Sequence, residues 1–506
     1  MDAPDTADAA AAAALARRLD IGLLAAALLV ALAAGLLDVG APWEDGFKGT
    51  NGGAYTYRFL QSHLQLGLGV TRGACVKGVD PRTHELILSL NHPATYVLLH
   101  LPAAWLFGLS ETTVRVVALL LYLPAVPILW WLARRLLGAP AAGACALLFA
   151  SAPMVAYYGP MAVHDGPLLA LFPLVAAAFL AHVDAPTRAT RCVLGGAVLA
   201  TCLLDWSGAF LLPLLSLLVP ATTDRRRAWR VLLGLAPLAA LAVALLFAHT
   251  TFVLGGVRAA GEHWVALFLF SQAPHAGWPA VVGGEAQDAA ALLGPLRLAL
   301  AAAGLLLAAR LRGEGGWLRR AALVGLALLL PGLLNIALFP AHAQVHDFWS
   351  LMGVPGLALL AALPLAAAWG APGAAARAIA LLLLALTACA AVTGTLQARD
   401  LVRSQATTLH RDVGVLLDRW FGPGDVVASS VNLTLSDVYT QALIVGPITT
   451  PEQARQLAAD YAPPAFTGQL GFLLPRREHD TPLGRALGEM ATPEEVPDAL
   501  LFRLRR

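Results

Sequence analysis

Charged residues are scarce in this sequence. Of 506 residues only 13% are charged and 58% are hydrophobic, and the mean hydropathy is +0.69. A soluble domain carries about a quarter charged residues and about half apolar ones, so the composition excludes an ordinary soluble protein and indicates a polytopic membrane protein. The formal net charge is only +2, which gives no reason to expect nucleic acid as a partner.

Several functional motifs are missing as well. The chain has five cysteines, and all but Cys75 lie in apolar runs without metal-ligand spacing, so neither a disulfide framework nor a cysteine zinc site is predicted. It has no GxxxxGK[ST] loop to hold nucleotide phosphates, and no visible internal repeat of the kind found in two-halved transporters. The first apolar run lacks a small-residue cleavage site, which favours a retained helix over a signal peptide.

Long apolar segments are abundant. A bilayer core of about 30 Å needs about 20 apolar residues per helix. The stretch 94–109 is shorter and contains Pro102, which predicts an interfacial or re-entrant helix. The other apolar runs, two of them short, predict about eleven transmembrane helices, near residues 20–38, 112–132, 141–158, 166–183, 191–204, 207–221, 231–254, 290–309, 320–340, 350–369 and 377–395.

The arginines predict an orientation. They cluster at alternate ends of the apolar runs, as at 17–18, 134–135 and 225–227. Such clusters stay cytoplasmic under the positive-inside rule. The N-terminus is therefore predicted inside and the long first loop, 39–93, outside. An odd number of spans places the C-terminus outside as well.

The composition changes near residue 396. This change predicts a transmembrane domain over 1–395 and a small extracytoplasmic α/β domain over 396–506. "TLHRDVGVLLDRWFGPGDVVASS" is typical of an amphipathic helix, a turn and a strand. "ALIVGPITTPEQARQLAADY" predicts a strand, a turn and a helix, with Thr450 as N-cap before Pro451. "GFLLP" and "ALLFRL" predict further strands.

With this topology the chemically capable residues map to one face of the membrane. Acids and histidines are ordinary in exposed loops, so their common location carries more weight than any single residue. Asp205 differs, because it interrupts apolar sequence, where a charge needs a partner or water. The outer-face candidates are Glu44, Asp45, Arg58, His92, His164, Asp165, Asp205, Arg258, His346 and Asp347.

Several stretches resemble membrane glycosyltransferases of the GT-C superfold. They are "WEDGF", "AYTYRFLQSHLQLGLGVTR", "NHP" before a short apolar segment, "GLSETTVRVV", "YYGPMAVHDG" and "HDFW". Their order is similar to that of family 39-like members, which include protein O-mannosyltransferases, lipid A aminoarabinose transferases and bacterial relatives. The resemblance spans roughly residues 20 to 350 and implies an enzyme of the bacterial cytoplasmic membrane. It departs from the family where Glu44–Asp45 replaces an Asp-Glu pair, and where His92–Pro93–Ala94 replaces a Lys or His followed by two prolines.

A lipid-linked donor also follows from the predicted topology. An outward-facing site has little access to cytoplasmic nucleotide sugars, whereas a polyprenyl-phosphate sugar flipped across the membrane would reach these loops. We therefore expect transfer of its glycosyl group to a lipid, glycan or protein acceptor. A carboxylate is the usual base for the acceptor hydroxyl, and the two adjacent acids raise the pKa of one of them. Asp45 is the first candidate and Glu44 the second. Inversion at the anomeric carbon is implied by the resemblance alone.

The leaving phosphate needs positive charge, and Arg58, His92 and Arg258 are the candidates that could supply it. The segment that carries Arg58 predicts an amphipathic helix. We expect the remaining candidates to line the substrate site. Suitable ligand types make a divalent metal a hypothesis, and the spacing of these residues in the sequence does not decide it. Those ligand types occur at Asp45, His164, Asp165, His346 and Asp347.

Two other functions remain open. A transporter or lipid flippase usually places ionisable residues near the bilayer centre on broken helices, whereas these candidates lie at the ends of predicted spans. A polysaccharide ligase or polymerase would share the architecture and the donor class and differ in the acceptor. The C-terminal domain could recognise the acceptor or form a structural lid.

Overall fold

The computed structural model describes residues 6–44, 46, 48–272, 277–310, 316–344, 346–405, 409–431, 436–440, 442–462, 466–496 and 499–504. Asp45, the first candidate for the base, lies outside these residues. The chain forms two compact units. Residues 1–39, 91–96 and 115–403 form a helical unit, and residues 40–90, 97–114 and 404–506 form a mixed unit of helices and strands.

The α-helices account for most of the described chain. In chain order they are α1 (Thr6–Leu36), α2 (Tyr55–Leu66), α3 (Leu68–Thr71), α4 (Thr95–Phe107), α5 (Glu111–Tyr122), α6 (Ala125–Leu137), α7 (Ala141–Ala150), α8 (Pro153–Tyr158), α9 (Asp165–Asp184), α10 (Arg188–Leu204), α11 (Leu211–Leu218), α12 (Arg225–Leu254), α13 (Val257–Gln272), α14 (Trp278–Asp288), α15 (Pro295–Arg310), α16 (Gly316–Leu338), α17 (Pro340–Ala343), α18 (Val354–Gly370), α19 (Ala374–Ser404), α20 (Leu409–Asp418), α21 (Pro451–Asp460) and α22 (Pro482–Met490).

Within the described residues, seven helical segments are long and apolar enough to cross a membrane. An eighth is counted if the pair Trp278–Leu293 and Pro295–Arg310, bent by 101°, forms one broken span. The chain is therefore a multi-pass membrane protein. The seven segments are Ala13–Leu36, Glu111–Leu137, Asp165–Asp184, Arg225–Leu254, Gly316–Leu338, Leu351–Gly370 and Ala374–Ser404.

The number of about eleven spans is not confirmed. Three apolar runs predicted as spans lie in helices that are shorter than a membrane span requires. Ala141–Ala150 and Trp206–Ala221 are short apolar helices, and α10 has 17 residues. At 1.5 Å per residue, a ten-residue helix covers only about half of a hydrocarbon core. All ten residues of α7 are buried, so this apolar run packs inside the protein.

A buried arginine holds three helices of the helical unit together. Arg297, on α15, is only 3% exposed. Its Nε donates to the carbonyl of Leu148 at 3.1 Å, and its Nη2 donates to the carbonyls of Ser151 and Ala390, each at 2.7 Å. The last carbonyls of α7 have no partner within their own helix, so the guanidinium satisfies them. Gly394, on α19, leaves room for it, because a Cβ there would lie 2.5 Å from Nη2.

The mixed unit contains a five-stranded sheet with the strand order β4-β3-β5-β7-β6. β3 pairs in parallel with β4 and β5, whereas β7 pairs antiparallel with β5 and β6. A separate antiparallel hairpin consists of β1 and β2. The strands are β1 (Val76–Val79), β2 (Leu86–Leu88), β3 (Val426–Ser429), β4 (Leu443–Val445), β5 (Leu470–Pro475), β6 (Pro493–Val496) and β7 (Ala499–Leu504).

Alternate residues of this sheet face two cores. Val426, Phe472 and Phe502 pack in one core with Leu483 and Leu487 of α22, while the intervening residues pack in the other core with Leu417 of α20. This is the two-residue period expected of strands buried on both faces. The small α/β fold predicted for the C-terminal region is confirmed.

The predicted start of α21 is confirmed as well. The side chain of Thr450 accepts from the backbone N–H of Gln453, and the side chain of Gln453 accepts from the backbone N–H of Thr450. This capping box satisfies two donors that the first helical turn leaves without a partner, and Pro451 fits the first helical position because it has no N–H.

Candidate functional site

The structure brings together four candidate residues of the helical unit, which we call the His/Asp cluster: His92, His164, Asp165 and Asp205. His92 lies in the short segment before α4, and Asp205 follows the last residue of α10. The Nδ1 of His92 lies 2.8 Å from the Oδ1 of Asp205. These residues are 113 positions apart in the chain, so the fold creates the pair.

Asp205 is held in place by local structure. Its backbone is extended, and its Oδ2 accepts from the backbone N–H of Ser207 at 3.0 Å at the start of the 3₁₀ helix Trp206–Phe210. Aspartate is a preferred residue at such a position. The indole Nε1 of Trp206 donates to the carbonyl of Asn91 at 2.7 Å, which ties the segment of His92 to that of Asp205.

His164 and Asp165 begin α9. His164 is its N-cap, and Asp165 is its first residue, where a carboxylate is favoured by the helix dipole. The His164 Nε2 lies 3.5 Å from the Oδ1 of Asp205 and 3.6 Å from the Oδ2 of Asp165. The rings of His164 and His92 stack with their centroids 4.2 Å apart. Two imidazoles and two carboxylates thus occupy one small volume.

The charges and hydrogen bonds within the cluster shift the pKa values of its members. Burial lowers the pKa of His92, but the hydrogen bond and charge of Asp205 and the charge of Asp165 outweigh it, so this pKa is raised. Burial raises the pKa of Asp205, but the charge of His164 and the hydrogen bond and charge of His92 hold it well below its usual range. Asp205 therefore remains a carboxylate at neutral pH and is a weak proton acceptor.

The cluster is buried on one side and accessible on the other. The side chains of Asp205 and Asp165 are 6% and 7% exposed, whereas that of His92 is 45% exposed. Groups of this type can hold an anionic ligand through a charged imidazole, orient a histidine for proton transfer, or bind a cation. A ligand can reach them from the side of His92.

His346 and Asp347, which follow α17, form a separate group. The Oδ1 of Asp347 accepts from the Tyr158 hydroxyl at 2.6 Å. Burial and the charge of Asp347 raise the pKa of Tyr158, which keeps its hydroxyl a donor. His346 lies in an aromatic group in which its ring centroid is 5.3 Å from Trp349 and 5.8 Å from Phe348. This group places the carboxylate of Asp347 beside tilted aromatic rings, and its charge acts on the nearby carboxyls of Glu285 and Asp288.

Arg58 and Glu44 lie in the mixed unit. Arg58 is on α2, as predicted, where its Nε donates to the carbonyl of Lys77 at 2.6 Å and its Nη1 donates to the Oε1 of Gln61 at 2.8 Å. The guanidinium lines a cavity of about 310 Å³ that Asp425 and the backbone of Gly78 also line. Glu44 is only 7% exposed.

Arg258 lies on the surface of α13. Its side chain is 92% exposed, and its Nε donates to the Oε1 of Glu262 at 2.8 Å, one helical turn further along the chain. This contact is a common pairing on exposed helix faces. Of the proposed phosphate ligands, Arg258 is therefore the one that forms an ion pair on the exposed protein surface.

Sequence reasoning did not identify several residues that shape the cluster. Ser207 offers only a backbone N–H to Asp205, and Trp206 contacts the carbonyl of Asn91, so their contributions depend on the fold.

Tyr158, which pairs with Asp347, could have been considered, because "YYGP" stands close to His164 in the chain. Its pairing with Asp347 spans 189 positions and left no signal in the sequence.

Comparison with known proteins places this geometry in a familiar fold. A family model described as dolichyl-phosphate-mannose-protein mannosyltransferase matches residues 91–253. A search of the curated proteins found no match. Among solved structures, the chain is similar to ArnT from Cupriavidus metallidurans bound to undecaprenyl phosphate, with a TM-score of 0.62 and 14% identity over 96% of this chain and 98% of that chain.

Two further structures are similar. One is the archaeal oligosaccharyltransferase AglB from Archaeoglobus fulgidus in complex with an inhibitory peptide and a dolichol-phosphate, with a TM-score of 0.57 and 14% identity over 94% of this chain and 72% of that chain. The other is the mycobacterial arabinofuranosyltransferase AftD, with a TM-score of 0.52 and 15% identity over 97% of this chain and 42% of that chain. The chain therefore has the GT-C fold, and its resemblance to the family 39-like membrane glycosyltransferases is confirmed.

Proposed function

We propose that this protein transfers a glycosyl group from a polyprenyl-phosphate-linked sugar to an acceptor at the outer face of a bacterial cytoplasmic membrane. The observation that carries the proposal is the His/Asp cluster, a set of buried and partly accessible polar groups at the ends of apolar helices in a GT-C fold. The similarity to ArnT bound to undecaprenyl phosphate and to AglB bound to a dolichol-phosphate supports the donor class.

The reaction exchanges one bond at the anomeric carbon for another. The acceptor oxygen bonds to that carbon as the carbon–oxygen bond to the phosphate breaks, and the phosphate oxygen keeps the electron pair. The acceptor proton passes to a carboxylate, for which Asp45 is the first candidate and Glu44 the second. Attack opposite the phosphate would invert the anomeric configuration, as the resemblance implies. Asp205 is a poor base, because its pKa lies well below the usual range.

The phosphate that leaves needs positive charge close to its oxygens. His92 fits this role best, because its side chain is half exposed and its segment is fixed through Asn91 and Trp206. Arg58 lines a cavity in the mixed unit and could hold an anionic group there. Arg258 is the weakest candidate, since it lies on the exposed face of α13 and pairs with Glu262.

The proposal includes a membrane orientation. We place the N-terminus in the cytoplasm, and the loop 39–93 and the domain 396–506 on the outer side, following the positive-inside rule. The acceptor could be a lipid, a glycan or a protein. A polysaccharide ligase or polymerase would use the same donor class, so the two differ only in the acceptor.

Transport is the rival from another class. Ionisable groups that serve transport tend to lie within broken helices near the bilayer centre. Among the described residues, His92 precedes α4, His164 caps α9 and Asp205 directly follows α10. These positions at helix ends favour a reaction at the membrane surface over passage through it.

A direct test uses purified full-length protein in detergent with a panel of radiolabelled undecaprenyl-phosphate sugars. We expect the label to leave at least one donor, by transfer to added acceptor lipids or by slow transfer to water. Nucleotide sugars serve as the control donor class and should stay intact. If every lipid donor stayed intact while proteoliposomes carried a labelled lipid across the bilayer, the transfer proposal would be overturned.

A further inference from the structure

From the geometry of the His/Asp cluster we infer that His92, His164 and Asp205 form a binding site for one divalent transition-metal cation. Each offers one ligand atom, an imidazole nitrogen or a carboxylate oxygen, and these three atoms lie within 4.8 Å of one another. No spacing in the sequence indicated this set, since its members come from three separate segments.

The spacing of the ligand atoms suits coordination. Metal–ligand bonds of about 2.0–2.2 Å at the tetrahedral angle place neighbouring ligand atoms about 3.4 Å apart. The Oδ1 of Asp205 lies 2.8 Å from the Nδ1 of His92 and 3.5 Å from the Nε2 of His164. A cation therefore requires the first pair to open by only about half an ångström, a shift that the half-exposed ring of His92 can make.

The contacts of His164 favour a cation over a network of hydrogen bonds. Its Nε2 lies 3.5 Å from Asp205 and 3.6 Å from Asp165. Both separations exceed those of a good hydrogen bond, although the nitrogen faces both carboxylates. A metal ion between these groups would give this nitrogen a direct bond.

The charge of the cluster points the same way. Asp165 and Asp205 are both 5% exposed, and buried carboxylates are costly unless their charge is balanced. A divalent cation held between the two imidazoles and Asp205 would balance both carboxylates.

The surrounding structure orients the ligands as in known metal sites. The Oδ2 of Asp205 accepts from the backbone N–H of Ser207, and such outer contacts fix the direction of a ligating carboxylate. The hydroxyl of Ser207 is buried, and in the described part of the chain it has no hydrogen-bond partner. It could bond to a water on the metal.

Two nitrogen ligands and one oxygen ligand suit Zn²⁺, and also Mn²⁺ or Co²⁺, better than Mg²⁺ or Ca²⁺. Three protein ligands leave at least one coordination position open, and the exposed side of His92 gives access to it. The open position would take an anionic oxygen. That this oxygen belongs to the donor phosphate rests on the proposed function; cation binding itself does not.

The test is a binding measurement that uses no donor. The full-length protein in detergent is stripped with a chelator and titrated with ZnCl₂ and, separately, with MnCl₂ in a calorimeter, and its metal content is measured after purification. We expect one ion per chain. Asp205→Asn and His164→Gln should each weaken binding by at least about 100-fold, since each removes a ligand.

Two further variants control for folding and for surface binding. His182→Gln changes another buried histidine of the helical unit, whose Nδ1 lies 2.8 Å from the hydroxyl of Thr190; it should bind the metal as the wild type does. His92→Ala changes the half-exposed ligand and should lose binding while the metal-free melting temperature stays unchanged. Equal metal affinity in the wild type, His92→Ala and Asp205→Asn would overturn the inference.

The outcome is distinct from that of the proposed function. Full donor turnover by protein shown to contain no metal would overturn the metal site as a functional element and leave glycosyl transfer standing. One bound ion per chain, lost in Asp205→Asn, with every lipid donor intact would establish the metal site and overturn the proposed function.

Discussion

Two buried aspartates of the helical unit differ in how their charge is compensated. Asp20, on α1, is 0% exposed, and its carboxylate accepts from the Trp130 indole, from the backbone N–H of Gly143 and from the Arg134 guanidinium. Asp205 is 5% exposed, and its side-chain neighbours are two imidazoles, one of them half exposed. One carboxylate has a permanent cation as partner, and the other has titratable groups.

This difference in partners distinguishes a charge that stabilises the fold from a charge that can serve a functional site. The partners of Asp20 fix α1 against α6 and α7. The two backbones pack so closely there that a Cβ at Gly143 would lie 2.6 Å from the Asp20 carbonyl oxygen. This leaves no room for a ligand beside Asp20. Arg297 is saturated in the same way by helix carbonyls. The partners of Asp205 can exchange protons, bind a metal or turn toward an anion. A buried charge with adaptable, accessible partners is the better indicator of a site.

The largest effect is expected at an acid outside this comparison. Since the depressed pKa of Asp205 makes it a poor base, the acceptor proton must go elsewhere, and the sequence predicts Asp45. We expect Asp45→Asn to lower transfer by about 10²- to 10⁴-fold, the usual range for loss of a general base. The measurement is initial transfer rate at saturating donor.

Glu44→Gln is the matched control, because it changes the adjacent acid in the same manner. It should reduce the rate much less than Asp45→Asn. If the two phenotypes were exchanged, Glu44 would be the base. If both variants kept full activity, the acid pair would have no catalytic role.

The second prediction tests the comparison itself. Asp20→Asn removes the buried partner of a part-buried ion pair and should lower the free energy of unfolding by about 1–3 kcal/mol, with turnover per folded molecule unchanged. Asp205→Asn should leave the melting temperature within a few degrees of the wild type and lower transfer by about 100-fold, because its partners can rearrange toward water. Thermal unfolding in detergent and transfer assays on the same samples measure both.

The reverse result would break the comparison. If Asp205→Asn unfolded the protein while Asp20→Asn lowered turnover alone, saturation of a buried charge would not distinguish structural from functional groups here. Asp184→Asn provides a control, because its partly exposed carboxylate accepts from Arg320 at 2.7 Å on the same unit. It should have a smaller effect on stability than Asp20→Asn.

Asp20 also shows what the sequence could not reveal. Its partners, at positions 130, 134 and 143, lie more than a hundred residues away, and nothing in its neighbourhood marks it as buried and paired. Asp205 was noticeable because it interrupts an apolar run, yet its link to His92 depends on how two helix ends meet. Sequence reasoning identifies such charges, and only the fold assigns their partners.

The predicted helices and membrane spans also differ in whether local sequence or long-range packing determines them. Thr450 and Pro451 fixed the start of α21 because a capping box is a local interaction. The number of membrane spans was harder to predict, since apolar runs such as 141–158 can be buried in protein as readily as in lipid. There α7 ends at Ala150 and α8 begins at Pro153, so one apolar run makes two short helices.

The third prediction concerns Arg58, whose guanidinium is held by Lys77 and Gln61 beside a cavity of the mixed unit. We propose that it also holds the donor phosphate. Arg58→Lys should then weaken donor binding about tenfold with acceptor affinity unchanged, because a lysine cannot reproduce the planar fork. Donor titrations and the KM for the acceptor separate these effects.

A structural brace would give a different result. Arg58→Lys would then be nearly silent, and Arg58→Ala would lower the melting temperature while donor affinity stayed the same, since the carbonyl of Lys77 would lose its donor. Gln61→Ala serves as the control, because it removes a partner of the guanidinium without removing the charge. It should affect donor binding less than Arg58→Lys does.

The smallest effect is expected at Arg258. Its exposed side chain pairs with Glu262 along one face of α13, and exposed pairs of this kind contribute little to stability because water screens them. We expect Arg258→Ala to change donor turnover less than twofold and the melting temperature by about 1 °C or less. Glu262→Gln should be equally silent, which would identify the pair as a surface contact. A tenfold loss of donor affinity in Arg258→Ala alone would instead mean that this arginine leaves Glu262 to bind the phosphate, and exposure would then be a poor guide to which charges take part in the reaction.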